Sequence, residues 1–406
     1  MKLPIYMDYH ATTPVDPRVF AAMAPYFTEK FGNASSRNHS FGWVSEEAVE
    51  RGRERVAHLI NCDPSEIVFT SGATESDNLA IKGAAIGHRD KGNHIVTAAT
   101  EHKAVIDTCK RLTHEGFDVT FLPVEPDGLI DPQLLADSIR PNTVLISIMG
   151  ANNEIGVIQP LADIGRLARE RGVLFHTDAA QAAGKIPIDV AAMKIDLLSL
   201  TAHKIYGPKG TGALYVRKSL PARLVPAMDG GGHERGLRSG TLNVPGIVGL
   251  GVACELAGGE MAKETERLTG YREKLKERLL SALDHVYLNG HPSKRLAMNL
   301  NLSFGYLEGE ALLMSLRDVA LSSGSACSTA TAEPSHVLRA LGLGEALARG
   351  SLRFGMGRFT TEEEVDYVAE KVIEQVKRLR ASSPLYELAT SGAGFDSDAW
   401  KHPAQV

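Results

Sequence analysis

Short apolar runs alternate with helical patterns between about residues 66 and 217. The runs at 66–70, 94–98, 118–122, 143–148, 173–177, 196–200 and 212–216 are brief and rich in β-branched residues, which predicts buried strands. Between them, 73–87, 104–116 and 160–171 carry apolar residues at helical spacing, and the second ends at a glycine stop. Strands alternating with helices predict an α/β domain built on a mostly parallel, seven-stranded sheet. After about residue 244 the pattern changes. A largely helical stretch at 244–283 leads to an apolar alternation at 299–303 and helices at 309–316 and 361–380. That order predicts a second, smaller α+β domain at the C-terminal end. The division expected is a segment 1–15 packing with the small domain, a large domain 16–260, a small domain 261–381 and an irregular surface tail 382–406. The tail reading rests on Ser-Pro, Gly-Ala-Gly and His-Pro punctuation.

Charge and cysteine usage narrow the function. Lysine plus arginine number 44 and aspartate plus glutamate 49 in 406 residues, a net charge of −5 that argues against nucleic-acid binding through a basic surface. Hydrophobic residues at 43% and charged residues at 23% are the mix of an ordered globular chain. No apolar run reaches the ~18–20 residues of a membrane span, and the start has no signal-peptide core. A cytoplasmic protein is expected. Four cysteines (Cys62, Cys109, Cys254 and Cys327) show no C-x-x-C spacing, and the histidines no H-x-x-H, so no resident metal site is expected.

Four segments carry candidate chemistry. Thr70-Ser-Gly-Ala-Thr-Glu75 joins a strand to a helix start, where small residues and free N–H groups suit an anion; a simple capping turn would need no ligand. His176-Thr-Asp178-Ala-Ala-Gln181 ends an apolar strand, and a poorly solvated Asp there calls for a cationic partner. In Leu200-Thr-Ala-His203-Lys204-Ile-Tyr-Gly-Pro-Lys-Gly210 a lysine leaves a strand into a Gly/Pro turn. A lysine in a dry pocket can form a Schiff base, although a surface turn is the commoner fate. Anion cradle, strand-end Asp and downstream Lys together match pyridoxal phosphate, which needs a phosphate site, a lysine imine and an acid for its ring nitrogen. The fourth segment, Leu321-Ser-Ser-Gly-Ser-Ala-Cys327-Ser-Thr-Ala-Thr-Ala332, reads as a mobile loop (321–332) presenting an accessible thiol. Cys62, Cys109 and Cys254 lie in or beside helical patterns and read as structural. Two weaker signals are Arg353 beside a strand and the glycine-rich stretch 230–241.

In their order and joint presence these motifs resemble the cysteine desulfurases of iron–sulfur cluster assembly, a branch of the fold-type I pyridoxal-phosphate enzymes related to class V aminotransferases. The resemblance also covers Met7-Asp-Tyr-His-Ala-Thr-Thr-Pro, Thr100-Glu-His102-Lys-Ala-Val, Asn152-Asn153-Glu-Ile-Gly and Leu352-Arg353-Phe, so it spans nearly the whole chain. It implies a homodimer and the following roles. Lys204 would hold pyridoxal 5'-phosphate as an imine and move the substrate's Cα proton. His102 would stack on the ring and assist proton transfer. Asp178 would pair with the pyridinium nitrogen and Gln181 with the phenolic oxygen. Ala73, Thr74, Thr201 and His203 would hold the phosphate, and Thr241 would reach the phosphate in the other subunit. Asn153, beside the cofactor, and Arg353 would hold the substrate carboxylate. Cys327 would take the sulfur of L-cysteine as a persulfide, leaving L-alanine, and is also a candidate transient iron–sulfur ligand. The chain departs from several relatives in having Thr201-Ala202 where they have Ser-Gly; the hydroxyl is kept. The segment after Cys327 resembles the long-loop group, which hands sulfur directly to a cluster scaffold protein. Selenocysteine lyase, or another class V activity, is the alternative that the same residues leave open.

Overall fold

The computed structural model describes residues 2–220, 224–323, 334–391, 398–400 and 402–403. In chain order its strands are β1 (Ile5–Tyr6), β2 (Ile67–Thr70), β3 (His94–Ala98), β4 (Asp118–Leu122), β5 (Thr143–Ser147), β6 (Leu174–Asp178), β7 (Leu197–Thr201), β8 (Gly212–Val216), β9 (Val286–Leu288), β10 (Asn299–Phe304), β11 (Val319–Ala320) and β12 (Ser351–Gly355). The helices used below are α1 (Ser40–Ile60), α2 (Ala73–Gly87), α3 (Lys103–Thr113), α4 (Leu161–Glu170), α5 (Val244–Ala282), α6 (His336–Ala340), α7 (Glu362–Ala381) and α8 (Pro384–Thr390).

The large sheet has seven strands in the order β2-β8-β7-β6-β5-β3-β4. Only β8 runs against its neighbours; the other pairings are parallel. β2, β3, β5, β6 and β7 are buried along their whole length, as expected for unbroken apolar runs covered on both faces. Because β2, β3, β5, β6 and β7 point the same way, their carboxyl ends open on one edge. That edge is where an open α/β sheet builds its ligand crevice.

α2 and α3 share one apolar cluster with the sheet, through Leu79, Ile81, Val105 and Leu112. α1 and α5 are both in the larger cluster. Their backbones come close: a Cβ at Gly52 would sit 2.8 Å from Ile247 Cγ2, and one at Gly251 would sit 2.8 Å from Gly52 Cα. α5 is long and apolar enough, by length and composition, to cross a membrane, and 56% of its apolar window is buried inside the fold. Its apolar residues are therefore accounted for by this packing. α5 runs unbroken through residue 260. A second sheet, β12-β10-β9, is antiparallel, and β1 pairs in parallel with β11.

The tail reading needs correction over its described residues. Ser383 caps α8 through its side chain, with Pro384 at the first turn, so Ser-Pro opens a helix here instead of breaking one. Trp400 is 8% exposed and joins a cluster with Ile155, Val157, Leu338 and Leu347, while His402 stacks on Tyr287 at 5.2 Å.

Candidate active site

A cavity of about 560 Å³ opens at the carboxyl edge of the large sheet. Ala73, Thr74, His102, Asn153, Asp178, Gln181, Thr201, His203, Lys204 and Arg353 all line it. Each arrives from the end of an element. Asp178 and Thr201 close β6 and β7, His102 caps α3, and Ala73 and Thr74 open α2. Thr241 is exposed and does not line this cavity. Cys327 lies outside the described residues.

The floor suits a phosphate. α2 starts at Gly72 with no side-chain cap, so its first N–H groups face the cavity without an internal acceptor. Gly72 adopts φ +152, a backbone region that favours glycine, and a Cβ there would stand 3.6 Å from Thr201 Oγ1. Thr74, Thr201, His203, Lys209 and Gly210 complete the rim. Glu75 accepts from Ser71 N at 2.8 Å and pairs with Arg238 at 2.9 Å, which ties the glycine-rich stretch to the cradle.

Three carboxyl groups are buried behind the cavity, and their partners separate them. Asp77 on α2 is fully buried, with His176 Nε2 3.6 Å from its Oδ1 and a Ser199 contact that works against the upward shift. Burial, then Asp178 nearby, hold its pKa well above the usual carboxylate range. Glu101 accepts from Met149 N at 2.8 Å and is likewise held high by burial. Asp178 is raised by burial too, but Ala180 N donates to its Oδ1 at 2.8 Å, and His102 and Lys204 add positive charge. Of the three, Asp178 is the one whose neighbours most favour the ionised form, while burial works against the charge on Asp77 and Glu101. His176, two residues earlier on β6, is neutral, pulled down to about 3 by burial, and sits between Ser147 Oγ at 2.8 Å and Ser199 Oγ at 3.0 Å.

The N-terminal segment, part of the resemblance but given no role by it, reaches the site. Lys204 Nζ donates to the backbone carbonyls of His10 and Ala11, the latter at 2.7 Å. Gln181 donates from Nε2 to the His10 carbonyl at 2.9 Å. Arg353 pairs with Asp8 at 2.7 Å and donates to the Asn153 carbonyl at 2.8 Å, while its Nε has no partner among the described residues. A buried guanidinium with donors to spare fits a substrate carboxylate. Asp8 also accepts from Ser322 Oγ at 2.8 Å. Asp8 and His10 lie in the Met7-Asp-Tyr-His stretch of the resemblance, which assigned them no role, and Lys185 lies in none of the quoted motifs; the fold brings all three here. Cys62, Cys109 and Cys254 are free thiols whose pKa values burial pushes up to about 12, so none is a ready thiolate.

Fold and site together define a class, and comparison with known proteins identifies it. The family model described as aminotransferase class-V matches residues 5–368, and the chain belongs to that family. Within it the chain is similar to proteins named cysteine desulfurase IscS. One from Anaeromyxobacter dehalogenans (strain 2CP-C) is 59% identical over 403 residues, covering 99% of this chain and all of the relative. Another from Rickettsia rickettsii (strain Iowa) is 54% identical over 400 residues, covering 98% of each. A solved NifS-like protein superposes with a TM-score of 0.86 at 37% identity, over 93% of this chain and all of that one. The structure titled SspA in complex with cysteine superposes at 0.78 with 42% identity, over 88% of this chain and all of that one.

Proposed function

We propose that the chain is a cysteine desulfurase that uses pyridoxal 5'-phosphate to remove sulfur from L-cysteine, leaving L-alanine and a persulfide on Cys327 that is passed on for iron–sulfur cluster assembly. The observation that carries the reading is that an uncapped helix start, Asp178 and Lys204 line one cavity. When bound, the cofactor supplies a carbonyl carbon for Lys204 and a ring that accepts electrons from the substrate's Cα. The α2 start, Thr74, Thr201 and His203 hold the phosphate. Asp178 keeps the ring nitrogen protonated, and Gln181 offers an N–H to the phenolic oxygen. His102 caps α3 by accepting from Ala104 N at 3.1 Å through Nδ1, which holds its imidazole at the cavity wall, where it would stack on the ring and assist proton transfer. Asn153 and Arg353 orient the substrate carboxylate. The Lys204 amine takes the Cα proton. The Cys327 thiolate then attacks the substrate sulfur: an S–S bond forms, the Cβ–S bond breaks, and the carbon side takes a proton to become alanine.

Phe20, Phe27, Phe31, Phe41 and Trp43 are each more than half exposed on the N-terminal elements. Such an aromatic surface suits a second copy of the chain, and a homodimer would bring Thr241 of one protomer toward the phosphate of its partner. A cluster scaffold protein is the sulfur acceptor we assign, and the cytoplasm, where thiols stay reduced, is the compartment. The test is the purified protein's visible spectrum together with alanine and sulfide formed from L-cysteine and a thiol reductant. Borohydride should trap the cofactor on the Lys204 peptide. Cys327→Ser should keep the spectral response to L-cysteine yet form almost no alanine. A trapped adduct elsewhere, or alanine at the wild-type rate from Cys327→Ser, overturns the reading.

A further inference from the structure

Gln181 can meet the cofactor with either its N–H or its carbonyl oxygen, and its neighbours decide which. Its Oε1 receives Lys185 Nζ at 3.1 Å and stands 3.0 Å from His10 Nδ1; its Nε2 gives one N–H to the His10 carbonyl at 2.9 Å. His10 is neutral, its pKa held well below the usual range by burial. Its tautomer is set from the far side. Asn299 Nδ2, tied to the Glu154 carbonyl at 3.0 Å, also points at His10 Nε2 at 3.0 Å. Nε2 must therefore accept, and Nδ1 carries the hydrogen donated to Gln181. An ammonium has no acceptor at all. Turning the amide over would place Nε2 against two donors, and Lys185 cannot adapt while it is an ammonium.

We infer that Lys185 is a positioning residue that locks the Gln181 amide with an N–H toward the cavity, and that its charge acts on the cofactor's phenolic oxygen and on the Lys204 linkage. The inference rests on the reading above that pyridoxal phosphate fills the cavity. Lys185 and Lys204 also face each other across a separate cavity of about 30 Å³, room for roughly two waters. Tyr206, Glu264 and Arg358 are the other titratable groups lining it. Burial first, and then the Lys204 charge, lower the Lys185 ammonium to about 7 against the opposing pull of Glu264. Two amines in one poorly solvated space each favour the neutral form of the other, so removing one raises the proton affinity of its partner.

The experiment is a pH titration of the visible absorption band of the holoenzyme, in wild type, Lys185→Met and Lys185→Arg. Lys185→Met, which lacks both donor and charge, should keep cofactor on Lys204 and move the midpoint upward by roughly half a pH unit or more. Lys185→Arg, which keeps both, should stay at the wild-type midpoint. Lys185→Gln, also uncharged, carries the comparison if the methionine variant does not fold. Coincident midpoints in wild type and the uncharged variants overturn the inference, as does an arginine variant shifted as far as the uncharged ones. A wild-type protein with no visible band at all would overturn the proposed function instead.

Discussion

Glu234 should be the most costly single carboxylate to remove from this fold. Its carboxylate grips the Arg53 guanidinium in a fork, with both N–O distances at 2.9 Å, and the two side chains are 2% and 6% exposed. The same carboxylate accepts from Phe69 N at 2.8 Å, and Arg53 also donates to the Ile67 carbonyl at 2.7 Å and lies 4.7 Å from the Phe69 ring centre. Glu234 and Arg235 hold φ values of +49 and +58, a strained pair for non-glycine residues that the surrounding contacts must maintain. Glu234→Ala strands a buried guanidinium and leaves the Phe69 amide without its acceptor, at a cost of about 3–5 kcal/mol. In a chain of this length that is a fall in Tm of roughly 3–6 °C. β2 ends at Thr70, next to the phosphate cradle, so cofactor occupancy should fall too. The assay is chemical denaturation of Glu234→Ala, together with a double-mutant cycle built on Arg53→Met and Glu234→Leu. Arg53→Met with Glu234→Leu removes both charges and should recover most of the loss, because a buried pair is replaced by apolar contacts of similar size. A loss below about 1 kcal/mol for Glu234→Ala, or a double variant as unstable as the two single losses summed, would refute the reasoning.

Three further outcomes follow from the site. Asp178→Asn should lower turnover about ten- to hundred-fold or more while part of the cofactor stays bound, from the loss of a charge-assisted hydrogen bond in a dry site; near-normal turnover by alanine assay removes Asp178 from that role. Arg353→Lys should raise KM for L-cysteine about ten-fold and change kcat little, because a point charge replaces a planar fork; unchanged steady-state kinetics would count against Arg353 as the carboxylate holder. Burial raises Glu154 from 4.5 to about 7, so the folded state binds the extra proton: the stabilisation is complete below pH 4.5 and is lost as pH rises through about 7. That is worth roughly 3 kcal/mol, and Glu154→Gln should flatten stability across this window by denaturant titration; an unchanged slope would contradict the assignment.

The strands that frame the site were legible because each is a short unbroken apolar run, and a buried parallel strand leaves no other pattern. Asp178, Thr201 and Lys204 were legible for the same reason, since they sit where such runs stop. α1 was not. Its buried face includes Ser45, Ala48, Gly52 and Arg53, small or polar residues chosen for close approach to α5, so its apolar signal is diluted. β1 and β11 are two residues each, too short for any periodicity to register. α8 hid behind Ser383-Pro384, which marks a helix start as readily as a break. His10, Asp8 and Lys185 act through hydrogen bonds to residues between 4 and 345 positions away, and local pattern holds no trace of such pairings.

The three buried carboxyl groups set the limit of what residue types alone can tell. Asp77, Glu101 and Asp178 are alike in chemistry and equally hidden, and a low-dielectric interior tolerates only one charge among neighbours without strong compensation. Which one ionises depends on what donates to it. Asp178 has the Ala180 amide and two cationic neighbours, whereas Asp77 has only the Ser199 contact and a neutral His176 at 3.6 Å to set against its burial and the Asp178 charge. Burial that disfavours charge on Asp77 and Glu101 leaves Asp178 as the member of the group that a cation brought into the cavity would most readily meet as an anion.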